Sequence, residues 1–133
     1  MKGAFIMKNK VLIVSAVFFS VTYCSCMKDH SSMVIGKWQL NGIDCNENGY
    51  CSKYINSDEI VEYKKDGSGI VSSVSRNKKM YFNYVITGNE IEVHIKMGIA
   101  RDTIVKIMDD IMLVRHTAVQ GDDMGITRWK KLQ

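Results

Sequence analysis

Four cysteines, three histidines and several clustered carboxylates are the side chains of this 133-residue chain with chemistry to offer. Cys45 and Cys51 stand in a stretch rich in Asn and Gly, residues 41–51. Two thiols so close, in an oxidising compartment, suit a loop disulfide. Free thiols are the alternative, and a metal site would need two further ligands, for which no thiolate or histidine is near. His94 lies between Glu92 and Lys96 on what reads as a polar strand face, His116 in a mostly apolar strand, and His30 ahead of the first strand. His94 therefore reads as a surface residue and His116 as a polar group at a barrel end. Asp109, Asp110, Asp122 and Asp123 lack the oxygen-ligand periodicity of a calcium loop and read as turn residues. Glu59, Glu62, Glu90 and Glu92 offer carboxylates, but nothing in their spacing selects an acid–base pair. With no nucleophile elbow, phosphate loop or metal triad, the expectation is a non-enzymatic protein that uses no cofactor and no metal.

The elements around these residues alternate at period 2, as half-buried strands do. Val34, Gly36, Trp38 and Leu40 share one face of a first strand that Asn41 and Gly42 end. Further strands are expected at residues 54–63, 69–74, 80–86, 91–97, 101–108, 111–118 and 126–132, separated by turn signals such as Lys65, Asp66, Gly67 and Gly88, Asn89. In the sixth, Thr103, Val105 and Ile107 are expected on one side; in the seventh, the even apolarity leaves the inward face open. Eight short strands and no amphipathic helix predict an all-β fold, a small up-and-down antiparallel eight-stranded β-barrel, with a β-sandwich as the rival. Such a barrel is just wide enough to be filled by side chains or to hold one small ligand.

The first 25 residues read differently. Lys2, Lys8 and Lys10 precede an apolar run at residues 11–21, the pattern of an export signal, with Met7 as an alternative start. As a helix, eleven residues span about 16 Å against a hydrocarbon core of roughly 30 Å, which disfavours a permanent membrane span. The 18 basic residues of the chain include these three lysines, and the leader holds no acid, so residues 26–133 carry 15 basic and 14 acidic groups. So even a balance argues against a nucleic-acid partner.

The end of the run, through Cys24, Ser25 and Cys26, resembles the lipobox of bacterial lipoproteins, whose cysteine is acylated and begins the mature chain. Ser25 before Cys26 fits better than Tyr23 before Cys24, so Cys26 is the expected lipidation site and Cys24 the alternative; a cleaved signal without lipid is the plainer reading. Lys28 and Asp29 are similar to a tag that sends lipoproteins to the outer face of the outer membrane. These features imply a signal peptide at 1–25, a flexible tether at 26–33 and a folded domain at 34–133. The address they imply is an outer membrane lipoprotein, surface-exposed or else facing the periplasm.

Gly36, Lys37, Trp38 on a first strand followed by a meander resembles the lipocalin superfamily, and most of all the small lipocalin-like lipoproteins of Bacteroides-type bacteria. Supporting features are residues 63–70 on the second hairpin and the closing Arg128, Trp129, Lys130, Lys131, Leu132. The resemblance implies that Trp38 closes one barrel end and that a basic residue of the last strand, Arg128, packs across its ring, although alternation sets Arg128 and Trp129 on opposite faces. Phe82, Tyr84, Ile86, Val93, Ile95 and Met97 either line a pocket, with Tyr84 as the polar handle, or fill the core. Two functions follow as expectations: a lipid-anchored envelope barrel that holds a small hydrophobic ligand, or a module that binds an envelope protein through its loops.

Overall fold

The computed structural model describes residues 30–133; the leader, Cys24, Cys26 and the remainder up to Asp29 lie outside the described residues. One helical turn, α1 (Ser31–Val34), is followed by nine strands. These are β1 (Gly36–Cys45), β2 (Cys51–Tyr54), β3 (Glu59–Tyr63), β4 (Ser68–Ser73), β5 (Lys78–Thr87), β6 (Glu90–Ile95), β7 (Gly98–Met108), β8 (Ile111–Thr117) and β9 (Asp123–Lys131). From β3 onward each strand pairs antiparallel with the next, and Trp38, Gln39 and Leu40 of β1 pair with Lys131, Lys130 and Trp129 of β9. That last pairing closes the sheet and leaves no free edge along the wall, which excludes the sandwich. Gly42 has Arg128 on one side and Tyr54 on the other, so β2 and β3 lie end to end along one edge of β1. Nine strands thus fill eight barrel positions, and the fold is a closed, eight-stranded, antiparallel β-barrel of the general lipocalin-like kind.

Three irregularities decide which side chains face inward. β1 does not stop at Asn41 and Gly42. A bulge between Leu40 and Gly42 absorbs the extra residue, and the strand continues to Cys45. Beyond the bulge, β1 and β2 form a hairpin joined by a Cys45–Cys51 disulfide. It folds over the outside of the barrel, where Cys45 packs with Leu113 and Ile126. Leu113 lies between Met112 and Val114, which point into the main core, so covering its outer face explains why this strand is apolar on both sides. A second bulge, between Ile104 and Lys106, inverts the alternation within β7. Ile104 is consequently the buried residue, and Thr103 and Val105 are not on the inner face as regular alternation predicts.

The two ends of the barrel differ. At the end that carries the β3–β4, β5–β6 and β7–β8 turns, α1 tucks beneath the strands instead of serving as a free tether. Val34 and Trp38 are fully buried there, and the Trp38 indole N–H donates to the Val34 carbonyl at 2.8 Å. Tyr63, Phe82 and Tyr84 stack edge-on above them, with Tyr63 centroids 5.8 Å from Phe82 and 5.1 Å from Tyr84. The ring of Phe82 lies where a Cβ on Gly69 would have to go, so glycine is what lets β4 approach β5 this closely. The opposite end has smaller inward residues, among them Val71, Ala100, Thr117 and Ala118, and does not fill.

Candidate functional site

The unfilled half of the barrel is a cavity of about 350 Å³ that opens at the end carrying the β4–β5, β6–β7 and β8–β9 turns. Val61, Val71, Phe82, Val93, Ile95 and Val114 make its apolar wall, with Met112 and Trp129 toward the closed end. Polar side chains are few: Glu59, Tyr63, Asp102, His116 and Thr117. This is the composition of a small-molecule pocket, apolar with a few convergent polar groups. The mouth is ringed by exposed apolar side chains as well, with Met80 and Met124 on its border and Val74 and Val119 on turns at the same end.

The polar groups are organised. Asp102 Oδ1 is 2.9 Å from His116 Nδ1, His116 Nε2 is 2.6 Å from Thr127 Oγ1, and the Trp129 indole N–H donates to that hydroxyl at 2.7 Å. An indole can only donate, so Thr127 accepts from Trp129, and with its second lone pair and its one proton it can either accept from or donate to His116 Nε2. Asp102 as a carboxylate can only accept, so His116 Nδ1 carries the proton that faces it, an assignment that comes from the donor count. An Asp–His–hydroxyl series resembles a hydrolytic triad in order, but Thr127 is fixed by Trp129 and is not among the residues that line the cavity. Bonded to both Trp129 and His116, Thr127 braces the imidazole and, through it, Asp102. Among the described residues, no third histidine, cysteine or carboxylate joins this pair to make a metal-holding group.

Tyr63 is 5% exposed and lines the cavity, yet its hydroxyl has no hydrogen bond within the described residues. Burial, then the charge of Asp102 and the neighbouring Tyr84, push its pKa far above the ordinary tyrosine range, so the hydroxyl stays protonated. Asp102 likewise has its second carboxylate oxygen without a hydrogen-bond partner among the described residues.

The residues singled out from the sequence fall into different places. Phe82, Val93 and Ile95 border the cavity. Ile86 packs against the core but not along the cavity. Met97 is corrected: β6 ends at Ile95, and Met97 is 82% exposed on the following turn. Tyr84 is no handle for a ligand, because its hydroxyl donates to the Lys64 carbonyl in the β3–β4 turn, at the closed end. Trp38 lies buried at that end, but the cation on its ring is Lys131, whose Nζ is 5.3 Å from the ring centroid. Trp129 faces inward, so Lys131, two residues on, shares its face, whereas Arg128 points outward. There Arg128 stacks 5.7 Å from the Tyr54 ring and donates to Asn41 Oδ1 at 3.2 Å. His94 is on the outer face, 3.6 Å from Glu92, and Asp109 and Asp110 form the β7–β8 turn.

Reading the sequence for apolar faces misses Tyr63, Asp102 and Thr127. The one available signal was position: Asp102 falls two residues before the apolar Ile104 and so shares its face. No known protein-family model matches the chain, and no curated protein sequence does either.

Proposed function

We propose that this chain is a non-enzymatic, lipid-anchored envelope protein whose barrel holds a small hydrophobic molecule. The observation that carries the binding reading is the cavity of about 350 Å³, open at one end and walled by apolar side chains. Its size falls within the range of small-ligand pockets, roughly 300–1,000 Å³. The opposite end is plugged by α1 and Trp38, so a ligand would enter and leave through the apolar mouth. The leader and Cys26 support the anchoring, which would keep the barrel at a membrane surface without inserting it.

Titration of the full chain in lipid nanodiscs with the neutral fluorophore N-phenyl-1-naphthylamine, corrected by empty nanodiscs, tests the pocket. Saturable enhancement, abolished by Ala100→Phe, which fills the mouth, is the expected result; a response that Ala100→Phe leaves unchanged refutes the reading. Mass analysis of chain purified from membranes tests the anchor: acyl mass on a species that begins at Cys26 supports it, and an unmodified terminus rejects it.

One observation favours a second reading. The disulfide-closed hairpin lies against the outer wall of the barrel and leaves Tyr50 73% exposed, an aromatic suited to protein contact. Pull-down from envelope extract with residues 46–50 replaced separates the two, since equal recovery of partners rejects the hairpin as a contact.

A further inference from the structure

The polar equipment of the cavity is lopsided. Among the described residues that line it, none is lysine or arginine, while Glu59 and Asp102 are carboxylates. Glu59 also borders a surface groove that carries Arg76, Lys78 and Lys79, so its charge is offset from outside. Asp102 has no lysine or arginine beside it in the cavity: His116 Nδ1 meets one of its oxygens at 2.9 Å, and the other has no hydrogen-bond partner among the described residues. The Asp102 side chain is 13% exposed, which sets a carboxylate in a largely desolvated place where charge is weakly screened. Facing the same cavity, Tyr63 is 5% exposed and its protonated hydroxyl has no hydrogen bond among the described residues. A carboxylate oxygen and a phenol, both without a hydrogen-bond partner among the described residues, lie between apolar walls.

Resting on the ligand-binding reading, we infer that the cavity selects apolar molecules headed by a protonated amine and rejects fatty-acid carboxylates. The ammonium donates to the unpartnered oxygen of Asp102 and to the oxygen of Tyr63, while the hydrocarbon tail lies against Phe82, Val93 and Val114. A carboxylate head would meet Asp102 as a like charge, with no lysine or arginine among the lining residues to receive it. An alcohol can use the same acceptors without the charge, and so falls between the two. Drawing an ammonium out of water has a desolvation cost, which the nearby carboxylate and the open mouth offset.

The test compares octylamine, 1-octanol and octanoate at pH 7.5 on the full chain in nanodiscs, followed through the methyl resonances of Val93, Met112 and Val114. These signals report entry into the cavity and are blind to partition into lipid. Octylamine is expected to bind at least tenfold tighter than octanoate, with Asp102→Asn abolishing that preference while 1-octanol binds as before. Tyr63→Phe, nearly isosteric, should weaken octylamine and 1-octanol by similar factors of about three to ten. Octanoate binding as well as octylamine, or a preference that survives Asp102→Asn, overturns the inference and leaves the pocket intact if 1-octanol still binds. If none of the three moves the methyl signals, the pocket reading itself fails and the selectivity falls with it.

Discussion

Replacing Gly69 by alanine adds one methyl to β4, and the structure fixes what it strikes. The new Cβ would overlap the far edge of the Phe82 ring, which is itself held in place by Tyr63 and Tyr84. Tyr63 stands edge-on at 5.8 Å and the strand pairing sets Gly69 directly opposite Phe82, so the ring can yield only toward the cavity it borders, breaking its aromatic contacts. Overpacking of a well-filled core costs about 1–3 kcal/mol. A value within that range is expected, since the residues in contact are large and aromatic and the ring has only the cavity side into which to move. Phe82→Leu removes the far ring edge, at a cost of its own as a smaller core side chain. In that background Gly69→Ala should lose most of its effect, a coupling of about 1–2 kcal/mol of the size seen between residues in contact. Urea unfolding of the four proteins, followed by tryptophan fluorescence, measures each term of the cycle. A cost for Gly69→Ala that is the same with Phe82 or Leu at position 82, or one below about 0.5 kcal/mol, would refute the account of why a glycine stands there.

Other perturbations probe the hairpin, the brace and the closed end. Replacing Cys45 and Cys51 together by alanine should lower stability by about 2 kcal/mol, the loop-closure term for a separation of 6 residues, read by the same unfolding assay. Thr127→Val deprives both the Trp129 indole and His116 of a partner without changing side-chain shape, and should cost about 1–3 kcal/mol together with a shift in tryptophan emission. Lys131→Ala should cost about 1 kcal/mol, as the ammonium over Trp38 is lost along with the methylene stem packed against Gly36. Arg128→Ala should instead disturb the outer hairpin, where it touches Tyr54 and Asn41, and leave the environment of Trp38 unchanged in one-dimensional indole NMR.

The strands were legible because each has one face in water and one in the core, which writes itself into the sequence at period 2. Turns marked by Asp66 with Gly67 and by Gly88 with Asn89 also stand where their residue types suggest. What alternation cannot show is a residue that belongs to neither face. The bulges at Asn41 and Val105 each insert one, and each reverses the parity of everything beyond it. That is why β1 runs on to Cys45 past an Asn-Gly pair, and why Ile104 is buried where Val105 was expected. The face of the strand around Leu113 stayed open for a related reason: an outward residue is as apolar as the core when a distant hairpin covers it.

The same logic explains why the pocket was only half visible. A search for apolar inward faces finds Phe82, Val93 and Ile95, the residues that any filled barrel would also need. What separates a pocket from a filled core is the inward residues that fail to fill space or fail to be apolar, and these carry no local pattern. Ala100 and Asp102 are the clearest case. They share one face of β7 with Ile104, so the alternation that buries Ile104 also turns a carboxylate into the barrel. An uncompensated carboxylate in such a place weakens the fold unless something meets it. The His116–Thr127–Trp129 series meets one of its oxygens and holds the imidazole from behind, which leaves the other oxygen to whatever occupies the cavity. On the proposed ligand-binding reading, the carboxylate at position 102 and the tyrosine hydroxyl at position 63 would set selectivity through the chemistry of a ligand's head group.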